Sequence, residues 1–301
     1  FQLLGRRCKA CARAFTGWNL APTVPVFPYG RTPFAFRFDP ADHDYGEKTF
    51  LGETGNWNGE DIVEIICNQP AAARFVARKL YDFFVADEPP VPAWRLAEPQ
   101  DMEAIKTMEK AYFDSGYEIT AMLRALFTSD FFKAEAVRYA KVKSPADVVV
   151  GVVRMAQDHT EPKPGLFPVA MEPKYMGMDL LNPPTVEGWH MGREWINSGS
   201  LIDRINFASS VLGNTGLPGI QSMINRLIDQ GDTLSADQMV DGCLDLIGPM
   251  TIADETRQEL VGHISGEGEL RHGTESERND FTRRVGETFQ MIATTSEFQF
   301  G

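Results

Sequence analysis

Residues 39–48 gather four carboxylates around a single imidazole, His43. The carboxylates of Asp42, Asp44 and Glu47 are the ligand type that Ca²⁺ prefers, because this ion takes about six to eight oxygen ligands from a turning loop. The same residues are also typical of a turn in which Asp side chains accept hydrogen bonds from backbone amides. The sequence therefore predicts either a calcium site or a structural turn.

Residues 182–197 form a second unusual segment, with two prolines, two glycines and two tryptophans and no regular period. The rings of Trp189 and Trp195 could stack on a sugar while Arg193 donates hydrogen bonds to its hydroxyls, which predicts a ligand-binding platform. The alternative is structural: both indoles fill gaps between helices, and Asn197 or Ser198 caps the helix that follows.

Four residues of these two segments have side chains suited to acid–base catalysis. They are His43 and Asp44 in the first segment and His190 and Glu194 in the second. A hydrolase built on them would need both segments to line one cleft around a cation or a sugar. A catalytic site of this kind is the alternative to a binding or accessory protein and to a purely structural scaffold.

Two further patterns each have a chemical and a structural interpretation. Cys8 and Cys11 form a C-x-x-C pair, which suits redox or metal chemistry but also fits ordinary positions on a helix. Lys141 and Lys143 precede a helix that begins at Pro145, which resembles an anion site or indicates pairing with nearby acids. The chain contains no nucleophile-elbow, phosphate-loop or His-Glu-x-x-His motif.

The pattern of apolar residues predicts a mainly α-helical array that positions these segments. One helix spans residues 2–17, and a small β-hairpin forms from residues 34–38 and 48–51 across the 39–46 turn. Helices follow at 59–68, 70–85, 99–114, 118–128, 145–158, 174–181 and 198–211. Three later helices begin at caps on Ser235, Thr251 and Thr274.

Length and charge narrow the classes of protein to consider. The chain has 301 residues and a net charge of −13, and it carries no basic stripe that would attract a phosphate backbone, so nucleic-acid binding is not expected. No apolar run reaches the roughly 18 residues of a membrane-spanning helix. A single helical domain over residues 1–301, or the C-terminal part of a larger one, is the expected organisation.

The ordered set of segments along the chain resembles a bacterial family known as domain of unknown function 1800. The matching segments are residues 12–18, 43–48 with 51–52, 70–80, 143–145 with Arg154, 182–184, 188–189, 195–197 and 296–299. The resemblance covers nearly the whole chain. Family members are longer, so this chain resembles their C-terminal part.

The resemblance implies a mainly helical fold and export, and hence a periplasmic, envelope-associated or secreted location. It also implies a partner, a second exported protein of a sulfatase- or phosphatase-like family, but it supplies no reaction. The leading hypothesis is therefore an exported binding or accessory protein, linked to polysaccharide.

Overall fold

A computed structural model describes residues 2–20, 35–159, 161–186, 188–189, 191–248, 250–266, 268 and 270–300. The fold is mainly α-helical, as predicted, with only small two-stranded sheets. Backbone contacts divide the chain into two compact units. The first comprises Phe1–Leu80 and Asp101–Ser129, and the second comprises Tyr81–Gln100 and Asp130–Gly301.

The first unit combines helices with two antiparallel strand pairs. Its helices are α1 (Gln2–Ala14), α2 (Gly59–Cys67), α4 (Met102–Asp114), α5 (Ile119–Thr128) and the first part of α3 (Pro70–Phe84). Strand β1 (Trp18–Leu20) pairs with β2 (Phe36–Phe38), and β3 (Lys48–Phe50) pairs with β4 (Glu53–Gly55). Ala14, Phe50, Ile62 and Ile65 form a buried cluster that joins α1, β3 and α2.

An N-terminal hairpin exists, but the strand pairing predicted across the 39–46 turn is wrong. The two predicted strands form, yet each pairs with a different partner. Leu51 and Gly52 link β3 to β4 with φ angles of +48° and +95°. A two-residue loop with two positive φ angles favours a tight hairpin, so β3 pairs with the nearer strand.

Tyr112, buried on α4, gives the first unit a defined alkaline sensitivity. Its hydroxyl donates to the carbonyl of Cys67 at 3.1 Å, and burial, followed by the contact with Cys67, raises the pKa of Tyr112 to about 12. The unfolded chain releases this proton near pH 10, so this stabilising contribution is complete below about pH 10 and is lost toward about pH 12. We expect Y112F to cost about 1 kcal/mol at neutral pH.

The measurement is urea unfolding of wild type and Y112F between pH 8 and about 11.5, compared as a difference at each pH. The difference should shrink as the pH rises, because only the wild type has a hydroxyl to titrate. A difference that stays constant across this range would contradict the assignment.

The second unit is built around its longest helix, α13 (Glu275–Thr294). The other elements are α6 (Asp130–Lys133), α7 (Pro145–Ala156), α8 (Leu166–Tyr175), α9 (Ser198–Leu212), α10 (Pro218–Ile228), α11 (Ala236–Ile247), α12 (Asp254–Ser265) and the strand pair β5 (Thr233–Leu234) and β6 (Leu270–Arg271). Helix α13 contacts α9, α11 and α12. Its buried residues Phe281, Val285, Phe289 and Ile292 form the centre of the core.

Most predicted helix starts are confirmed, with exceptions in the second unit. Capping boxes form at Ser144, Ser235 and Thr274. The predicted cap at Thr251 is wrong, because α12 begins at Asp254 after Ala253, which offers no capping side chain. Helix α8 covers residues 166–175 in place of the predicted 174–181, and α10 was not predicted.

Among the helices that the structure describes, none combines the length and the apolar character needed to cross a membrane.

Candidate functional site

The predicted site around Asp44 forms a tightly bonded turn in the first unit. Arg13, on α1, donates two hydrogen bonds to the Asp44 carboxylate, from Nε to Oδ2 at 2.6 Å and from Nη2 to Oδ1 at 3.0 Å. The backbone N–H of Gly46 also donates to Oδ1 at 2.8 Å. The hydrogen bond and charge of the Arg13 guanidinium, with the Gly46 amide, hold the pKa of Asp44 far below its usual range.

His43 and Lys48 close the same turn from the other side. His43 is buried, and its Nδ1 donates to the carbonyl of Thr16 at 2.8 Å, because a carbonyl oxygen can only accept. The ammonium of Lys48, with a relative exposure of 1%, donates to the carbonyls of Asp44 and Gly46. Two cations therefore hold this turn. Arg13 binds the carboxylate of Asp44, and Lys48 binds the backbone carbonyls.

The other predicted metal ligands, Asp42 and Glu47, lie on the exposed side of this turn. In the described part of the chain, no three His, Cys, Asp or Glu side chains form a group that could hold a metal ion. The hydrogen bond from the Gly46 amide to Asp44 is the bonding expected of the structural interpretation, and Arg13 engages the same carboxylate in addition. The calcium site stays a prediction.

In the second unit, Trp195 is anchored inside the fold. Its ring is buried, and its carbonyl accepts a hydrogen bond from the Ser200 hydroxyl at 2.7 Å. Gly192, at φ +58°, lies so close to Asp87 that an added Cβ would be 3.0 Å from the carboxyl carbon. Asn197 caps α9 through the amides of Gly199 and Ser200, as the sequence predicts. The Trp195 ring therefore packs as a core residue.

Trp189, Arg193 and Glu194 are the more accessible members of this segment. Trp189 is half-buried and donates from Nε1 to the carbonyl of Asp179 at 3.1 Å, while Arg193 and Glu194 are exposed. His190 lies outside the described residues. His43 and Asp44 belong to the first unit and Glu194 to the second, and their shared hydrolytic role stays a prediction, as does the sugar platform.

The two remaining patterns from the sequence are the C-x-x-C pair and the lysines before α7. Cys8 and Cys11 lie on α1 as free thiols. The Lys141 ammonium donates to the Asp82 carbonyl and lies 3.3 Å from the Asp87 carboxylate, so it pairs with a nearby acid. Lys143 donates to the carbonyl of Phe298 at 2.8 Å.

A surface that the sequence reasoning missed lies in the second unit, on α8 and the chain that follows it. We call it the apolar surface and define it by five exposed side chains: Phe167, Tyr175, Leu180, Leu181 and Val186. Single exposed apolar residues are ordinary on a protein surface, and five of them in residues 167–186 make this stretch a candidate interaction site.

Asp179 fixes the shape of the chain that carries the apolar surface. Its carboxylate accepts hydrogen bonds from Asn182 Nδ2 at 3.1 Å and from Lys174 Nζ at 3.0 Å. These bonds, that from Asn182 first, lower the pKa of Asp179. Its carbonyl also accepts from Trp189. The tryptophan segment and the apolar surface are therefore one bonded structure.

Leu181 has a backbone conformation that leucine rarely adopts. Its φ is +62°, in the left-handed region, and its relative exposure is 95%. Left-handed backbone is unfavourable for a bulky residue, and an exposed side chain makes no packing contacts that would offset this free energy. The adjacent leucines at 180 and 181, directly before Asn182-Pro183-Pro184, are the sequence signal that could have indicated this surface.

Comparison with known proteins identifies a family for this chain. No curated protein and no solved structure shows significant similarity to the chain. A family model described as "Protein of unknown function (DUF1800)" matches residues 8–300, which include the Asp44 turn, the apolar surface and the tryptophan segment. The chain therefore belongs to the DUF1800 family.

Proposed function

We propose that this chain is a binding component that docks on a second protein through the apolar surface. The observation that carries the proposal is the conformation of Leu181. Its side chain is 95% exposed, and its backbone lies at φ +62°. Left-handed backbone at a non-glycine residue costs about 1 kcal/mol or more and persists where the surrounding structure enforces it, often at functional sites. Folding of the chain gains nothing from the Leu181 side chain, whereas a partner with an apolar pocket would.

The surface has the makeup of a small docking site. Its apolar part consists of leucine, phenylalanine, tyrosine and valine side chains, and the polar residues Lys174, Asp179 and Asn182 lie among them along the chain. An apolar centre with a polar rim is the usual anatomy of a protein interface. Because Asp179 already fixes the backbone, binding would order few additional residues, which favours affinity.

The occupant in this proposal is the second exported protein of the sulfatase- or phosphatase-like family that the resemblance implies. The pair would work in the periplasm, at the envelope or outside the cell. Trp189 and Arg193 lie next to the apolar surface along the chain and are the residues we assign to contacts with a polysaccharide ring. The proposal needs no catalytic role for this chain.

The test is L181N, measured for binding and for stability together. Asparagine tolerates left-handed backbone, so the free energy of unfolding of L181N should be about 1 kcal/mol higher than that of the wild type. It should also bind the purified partner at least about tenfold more weakly in calorimetric titration, because an apolar anchor is lost.

Leu96 supplies the matched control. It is another exposed leucine of the second unit, at 94% relative exposure, but its φ is −117°, an ordinary value. L96N should change neither binding nor stability. Equal binding by L181N and wild type would end the docking proposal, and a loss of stability in L181N would show that Leu181 serves the fold.

A further inference from the structure

A cavity of about 390 Å³ lies in the second unit, between the end of α3 and residues 132–141. We call it the basic pocket. Its walls include the rings of Phe84, Phe132 and Tyr139 and the cationic side chains of Lys133, Arg138 and Lys141. Its volume falls in the range of small-molecule sites, about 300–1,000 Å³.

The charge of the basic pocket is opposite to that of the chain. Three cationic side chains line it with one acid, Glu135, whose carboxylate lies 3.4 Å from the Arg138 guanidinium, whereas the whole chain carries a net charge of −13. The excess of positive over negative groups in the lining gives a local field that favours an anion. Part of this concentration is visible in the sequence, because residues 133–141 contain three basic residues and one acid.

Two features hold the lining in a fixed geometry. Lys141 is anchored by the Asp82 carbonyl and by Asp87, and its side chain keeps 26% of its exposure. Tyr139 has a φ of +55°, and the Arg138 guanidinium lies 5.3 Å from the centre of its ring. An aromatic residue in left-handed backbone is a strained position, and strain of this kind clusters at ligand sites.

We propose that the basic pocket binds a small organic anion, a carboxylate carried on a planar ring. The ring packs against Phe84, Phe132 and Tyr139, and the carboxylate accepts charge-assisted hydrogen bonds from the cationic side chains. This site is separate from the apolar surface in sequence and chemistry, and its outcome does not depend on the docking proposal.

The probes are 4-hydroxyphenylacetate, its neutral amide 4-hydroxyphenylacetamide, and acetate, each titrated into the full chain and followed by NMR. The acid should bind at least about tenfold more tightly than the amide, because the amide has the same shape without the charge. Acetate should bind more weakly than the acid, because it has no ring. Equal binding of acid and amide would overturn the anion assignment, and equal binding of acid and acetate would overturn the ring assignment.

Two variants with opposite expected signs separate binding from misfolding. R138Q should weaken binding of the acid about tenfold, and E135Q should strengthen it about threefold by removing the one acid of the lining. The matched control is R226Q, on the exposed side of α10 and away from the pocket, which should leave binding unchanged. Unchanged binding in both R138Q and E135Q would place the probe elsewhere and overturn the proposal.

Discussion

Replacing Gly219 with alanine should lower the free energy of unfolding by about 2–3 kcal/mol, although alanine is the better helix former. Gly219 lies in the first turn of α10, directly against the last turn of α7. A Cβ at this position would lie 1.9 Å from the carbonyl oxygen of Met155 and 2.7 Å from the carbonyl carbon of Ala156. Both are backbone atoms of a packed helix, so the two helices would have to separate. Urea unfolding measures the change.

Gly151 provides the control on the partner helix α7. A Cβ there meets no atom within 4 Å, and the backbone is helical. G151A should therefore raise the free energy of unfolding by about 0.5–1 kcal/mol, because alanine loses less backbone entropy than glycine. The opposite signs of two identical substitutions test the close approach of the helices. If G219A also stabilised the chain, the α7–α10 contact described above would be wrong.

The helices of this chain are largely readable from local signals. Ser144, Ser235 and Thr274 are each followed at the third position by Asp, Gln or Glu, and each begins a helix through a capping box. Helix α10 is not predicted by capping signals, because Leu217 precedes it and gives no side-chain cap. Its apolar spacing at Ile220, Met223, Ile224 and Leu227 is nonetheless helical, so periodicity would have found it where capping did not.

The candidate sites depend on contacts that no local pattern contains. The partner of Asp44 is Arg13, 31 positions away, and the sequence alone leaves open whether Asp44 is a calcium ligand or a turn residue. The left-handed backbone of Leu181 is enforced by its surroundings, since leucine has no intrinsic preference for it. The basic pocket takes its three cations and two of its rings from residues 132–141, and packing against the end of α3 adds the ring of Phe84. Local signals therefore predict the helices, whereas the geometry of the candidate sites depends on tertiary contacts.

A buried polar cluster joins the last residues of the described chain to the interior of the second unit. Arg204, on α9, has no exposed surface and donates from Nε to Gln299 Oε1 at 2.9 Å and from Nη2 to the carbonyl of Lys143 at 2.7 Å. Lys143 in turn donates from its backbone amide to the Gln299 carbonyl at 2.9 Å. Burial lowers the pKa of Arg204 to about 10, and burial, followed by the charge of Arg204, lowers the pKa of Lys143.

We expect Q299L to lower the free energy of unfolding by about 2–4 kcal/mol, because it leaves a desolvated guanidinium without one of its two acceptors. R204M should cost a similar amount, since the Gln299 amide and the Lys143 carbonyl would then be buried without this donor. The double variant R204M/Q299L should cost about 1–3 kcal/mol less than the sum of the single changes, because each single change already breaks the same bond. Urea unfolding of all four proteins measures this coupling. Additive costs would show that the two side chains act independently, and the hydrogen bond between them would then contribute nothing to the stability of this cluster.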